Sequence, residues 1–98
     1  MTSCVRWEIL MHERFSDVWI CKDFGRATTS ADPAELGRAV LGAYLAGRDS
    51  RGETFRVVVR TPNGCQTVIT AGHLTDPGWK ADPAIRQALP AYLRNALA

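Results

Sequence analysis

At 98 residues, 46% hydrophobic and 22% charged, the chain is long enough for one hydrophobic core and too apolar for wholesale disorder. A formal net charge of +2 is too weak to argue for nucleic-acid binding by itself, and no apolar run approaches the ~20 residues of a membrane helix. Three cysteines leave one over from any disulfide set, no C-x-x-C pair occurs, and the start MTSCVRWEIL lacks a basic-then-apolar signal pattern, so reduced thiols in the cytoplasm are expected.

In chain order, Cys4 to His12 is rich in β-branched and aromatic residues and predicts a strand. A turn over Glu13 to Asp17 leads to a second strand, Val18 to Lys22, followed by a polar loop. Asp32-Pro33-Ala34-Glu35 opens a helix: aspartate caps orphan N–H groups, proline suits the first helical position, and glutamate completes a capping box. Leu36, Val40, Ala43 and Tyr44 form its apolar stripe, widened by Leu41 and Leu45, and Gly47 is its expected stop. Gly37 and Gly42 weaken a helix, so close packing is expected at both. After the solvated connection 47–53, Thr54 to Thr61 is the clearest strand. Pro62-Asn63-Gly64 turns the chain, and Gln66 to Ala71 returns as the fourth strand. A loop holding Trp79 precedes a second helix, with Ile85, Leu89, Tyr92, Leu93 and Ala96 on one side and Pro90 set to kink or split it.

The tetrapeptide Ala-Asp-Pro-Ala stands at 31–34 and again at 81–84. Shifting the chain by fifty sets Val5 on Phe55, Arg6 on Arg56, Trp7 on Val57, Ile9 on Val59 and Val18 on Val68 without a gap. Skipping two residues in the second helix then sets Ala43-Tyr44-Leu45 on Ala91-Tyr92-Leu93. The whole chain, 1–98, is therefore read as a single domain of two strand–strand–helix units, about 4–47 and about 54–97. Two such units are too few for a solenoid. They predict an α+β two-layer sandwich: a four-stranded antiparallel sheet with two helices on one face, in a tandem ββα-ββα pseudo-repeat.

Strand alternation sorts the sheet into two faces. Val5, Trp7, Ile9 and Met11, with Phe55, Val57 and Val59, are expected to meet the helices. Carrying the pattern across the repeat turns Trp19 and Cys21 inward. The helix-free face then holds Leu10, Val18, Ile20, Val58 and Val68 at its centre, ringed by Arg6, Arg56 and Arg60. An apolar centre with an arginine rim has the composition of an interface.

Chemistry is thin by comparison. A thiolate–imidazole pair from Cys21 and His73, or from Cys65 and His12, depends on strand order, and small buried cysteines are the usual outcome. Cys4, Cys65 and the histidines have no metal-ligand spacing, and there is no phosphate loop or G-x-G-x-x-G. No catalytic residue, metal or cofactor is assigned. The expected function is that of a non-enzymatic interaction or regulatory module, homodimeric through the helix-free face. The alternative is a small nucleic-acid-binding protein using Arg6, Arg56 and Arg60, with Lys22, Arg48 and Arg51 nearby. That alternative needs exposed rings on the sheet, and the inward assignment of Trp7, Trp19 and Phe55 removes them.

Overall fold

The computed structural model describes residues 2–46, 53–74 and 80–96; Gly47, Arg48, Arg51 and Trp79 lie outside them. The described elements are β1 (Ser3–His12), β2 (Trp19–Thr29), α1 (Pro33–Leu45), β3 (Thr54–Arg60), β4 (Gln66–Thr70), α2 (Pro83–Ala88) and α3 (Ala91–Ala96), with a 3-10 turn over Ala71–Leu74. The strands form one antiparallel sheet in the order β2-β1-β3-β4, so two hairpins lie side by side and β1 meets β3 at the centre. The α+β class and the four-stranded antiparallel sheet are those the sequence pattern predicts.

The core follows from alternation along the strands. Val5, Trp7, Ile9 and Met11 of β1, Phe55, Val57 and Val59 of β3, and Ile69 of β4 are all buried. They join Leu36, Val40, Leu41 and Tyr44 of α1 and Ile85, Leu89 and Leu93 of the C-terminal segment in one hydrophobic cluster. Gly37 brings α1 close to the sheet: a Cβ there would lie 2.6 Å from Ile69 Cγ1 and 3.3 Å from Val59 Cγ2. Gly42 has no such role, because a Cβ there meets nothing within 4 Å, and nothing in the structure explains that glycine.

Local chemistry sets the element ends. Asp32 Oδ1 accepts a hydrogen bond from the Ala34 amide at 2.8 Å, and Asp82 Oδ1 accepts one from the Ala84 amide at 2.8 Å. Each cap is followed by proline in the first turn, where a missing N–H costs nothing. In the second hairpin, Gly64 donates to the Thr61 carbonyl at 3.0 Å and adopts φ 89°, a conformation that glycine takes without a Cβ penalty. Pro90 splits the last helical segment into α2 and α3. Tyr92 of α3 donates from its hydroxyl to Asp23 of β2, and partial burial followed by that carboxylate contact pushes the phenol up to about 12. Replacing Asp32 with alanine should cost ~1 kcal/mol in urea unfolding and leave binding activity intact, with a smaller loss for Asp82 because α2 is short. Lost binding at unchanged stability would identify a functional carboxylate instead of a cap.

β2 departs from expectation. It does not end at Lys22 but continues to Thr29, and the stretch read as a polar loop pairs with β1. Asp23 and Gly25 disfavour strands intrinsically, which hides the element; both fall in the core-facing column, opposite Ile9 and Trp7, where the pairing with β1 overrides local preference. The register shifts between Ile9 and Leu10, whose partners are Asp23 and Cys21, leaving Lys22 as the extra residue of a β-bulge.

The gapless alignment of the two halves is likewise corrected. Phe24, not Val18, pairs with Glu8, and it follows Glu8 by 16 residues, whereas Val68 follows its partner Val58 by only 10. Asp32 then follows Phe24 by 8 residues, while Asp82 follows Val68 by 14. The first hairpin is longer and the second connection is longer, each by the same amount. Their cancellation keeps the two Ala-Asp-Pro-Ala caps fifty residues apart.

Candidate functional site

The bulge decides which side chains reach the sheet face that lies away from the core. Before it, Arg26 pairs with Arg6 and Phe24 with Glu8; beyond it, Cys21 pairs with Leu10 and Trp19 with His12. One inserted residue reverses the side on which every later residue falls. Trp19 and Cys21, expected inward, therefore stand on the outer face. Ile20, expected outward, falls opposite Met11 in the core-facing column. Val18 precedes β2 in the connection and belongs to neither face.

Of the five residues expected to form an apolar centre, Leu10, Val58 and Val68 remain on the outer face. Leu10 is half-buried and Val68 is exposed on the edge strand. Val58 is only 2% exposed, between Glu8 on β1 and Val68 on β4. Val58 is thus covered within a single chain, whereas Val68 is not. Trp7 and Phe55 lie in the core as expected.

What the face does present is arginine and aromatic rings. Its outward strand positions carry Arg6, Arg26, Arg56 and Arg60 against one carboxylate, Glu8. Arg60 pairs with Glu8. Arg56 lies over the Trp19 ring, 4.0 Å from its centroid, and His12 meets the same ring at 5.0 Å between centroids. The Arg56 Nε is buried and has no hydrogen-bond partner among the described residues. Phe24 is 73% exposed beside a depression of about 640 Å³ lined by Arg6, Glu8, Cys21 and Arg26. A second depression of about 460 Å³ adjoins it, between Arg6, Arg26 and Arg60 and the Pro62–Gly64 turn.

Arg26, Arg6 and Arg60 stand abreast on three neighbouring strands, since Arg6 is the register partner of both others. Like charges directly opposite each other destabilise a sheet. Arg26 and Phe24 went unrecognised at the sequence level because their segment reads as loop. The alternation Phe24-Gly25-Arg26-Ala27-Thr28 was the available signal, large or polar residues on one side and small ones on the other.

Of the two thiolate–imidazole pairs, that of Cys21 with His73 lies outside the described side chains, and that of Cys65 with His12 is separated along the sheet. Cys4, Cys21 and Cys65 are free and exposed, which corrects the expectation of buried cysteines. Cys65 closes the hairpin next to Gln66, whose row includes Arg60 and Arg6, whereas His12 pairs with Thr54 at the far end of β3. Among the described residues no three His, Cys, Asp or Glu converge as a metal site. Among them, too, no helix is long and apolar enough to cross a membrane. No protein family, characterised protein or solved structure matches the chain.

Proposed function

We propose that the chain is a small non-enzymatic interaction module whose working surface is the helix-free sheet face, and that this face binds single-stranded nucleic acid. The face is free because both helical segments cover the other side, an arrangement we attribute to a duplicated ββα unit with unequal connections. The carrying observation is the coincidence of four arginines with exposed aromatic surface: Arg6, Arg26, Arg56 and Arg60 share the face with Phe24 and the Arg56-capped Trp19 ring. Guanidinium groups neutralise phosphates, while rings stack unpaired bases whatever their identity. A duplex hides its bases, so such a surface favours single strands.

Fluorescence anisotropy with single- and double-stranded oligonucleotides tests this reading. Single strands should bind better, and affinity should fall steeply with salt. Arg6→Ala, Arg56→Ala and Arg60→Ala should each lower the logarithmic salt slope by roughly 0.7. Phe24→Ala should cost ~1–3 kcal/mol of binding with little change in stability, as its ring is already exposed. Absence of binding to either form at low salt would refute the proposal.

Homodimerisation through the same face is the second reading, favoured by the exposure of Phe24 and Val68 there. A dimer in light scattering that Phe24→Asp converts to a folded monomer would favour it over nucleic acid.

A further inference from the structure

We infer that the row Arg26–Arg6–Arg60 is a receptor for a terminal phosphate monoester, the end of a nucleic-acid strand and not its interior. The inference rests on the single-strand reading above and adds where the strand stops. The three arginines occupy neighbouring register positions on β2, β1 and β3 and line one depression of about 460 Å³. Of the three, only Arg60 has an acidic partner, Glu8; among the described residues Arg6 and Arg26 have neither an ion pair nor a hydrogen bond to either side chain. Three cations against one carboxylate leave two positive charges uncompensated. A phosphodiester supplies one negative charge, whereas a phosphate monoester supplies about 1.5 to 2 at neutral pH, together with three oxygens for planar guanidinium forks.

The shape of the depression also favours a chain end. Pro62 and Gly64, in the turn that closes the second hairpin, line it beyond the end of β3. It shares Arg6 and Arg26 with the larger depression, where Phe24 lies. Phe24 is two residues from Arg26 on the same strand face, a separation of about 6.6 Å. That is roughly one nucleotide's length, so a phosphate held by the row sets the adjoining base over Phe24, and the strand then runs toward Trp19 and Arg56.

Three oligonucleotides of one sequence test the inference by anisotropy at fixed salt: one with hydroxyl ends, one phosphorylated at the five-prime end, one at the three-prime end. One phosphorylated form should bind about tenfold more tightly than the hydroxyl form, and which one identifies the end that is received. Arg26→Ala and Arg6→Ala should erase that advantage. Arg56→Ala, at the far end of the face, should weaken all three probes and keep it. Arg6→Lys, which retains charge but not the fork, should restore only part of it. Circular dichroism on each variant separates lost binding from lost folding. Equal affinity for all three probes, with the Arg56 effect intact, would overturn the terminal site and leave the single-strand face standing. No binding to any probe would overturn both.

Discussion

Alanine at Gly25 should destabilise the domain by roughly 1–3 kcal/mol, and valine there should prevent folding. Gly25 is the register partner of Trp7, whose side chain is fully buried at the centre of the core. A Cβ on Gly25 would stand 2.4 Å from Trp7 Cζ2 and 2.8 Å from Cε2, well inside any real contact. The indole is a rigid plate held by the cluster around it, so it cannot swing aside as a surface chain would. The strand would have to leave β1, or the ring its slot. Trp7→Phe supplies the control: it shortens the ring where the new methyl arrives and removes an indole N–H that is buried without a partner among the described residues. The double variant Gly25→Ala, Trp7→Phe should therefore be more stable than the sum of the single losses implies, a coupling readable in urea unfolding. A Gly25→Ala protein as stable as wild type would show that the ring does not sit over that glycine.

The same pairing explains what was and was not legible in the sequence. β1, β3 and β4 carry side chains whose own preferences match their strands, and both helix starts carry aspartate and proline where orphan N–H groups need them. Those features are local, and the residues at them suffice to read them. β2 is different because its residues answer to β1: Gly25 is small since Trp7 is large, and Ala27 is small opposite Val5. Read alone, Asp23-Phe24-Gly25-Arg26 looks like a loop. The bulge at Lys22 is still less visible, being a property of two strands together. That single residue sets Trp19 on the outer face, which Phe24 already occupies. The fifty-residue spacing of the caps hides the longer first hairpin, because the longer second connection compensates for it.

Aspartate at Val58 should unfold the protein, not merely separate copies of it. Its place between Arg56 and Arg60 in the sequence predicts an open contact point at the centre of the helix-free face. At 2% exposure it is as enclosed as Val57 on the other side of the strand. Its neighbours across the sheet are Glu8 and Val68, so a carboxylate at position 58 enters next to an existing one. The two arginines that flank it on the same face of β3 are both engaged, Arg60 with Glu8 and Arg56 over Trp19. Recruiting either would break one contact to make another. An uncompensated buried charge costs about 3–5 kcal/mol, comparable to the whole stability of many domains of this size. Val68→Asp separates burial from face: it lies directly across from Val58 but is 40% exposed on an edge strand. It should remain folded within about 1 kcal/mol of wild type. Circular dichroism with urea unfolding reads both variants. A folded Val58→Asp protein with an unchanged midpoint would mean that the valine is not covered within one chain, and would return the centre of this face to the interface role it was first expected to hold.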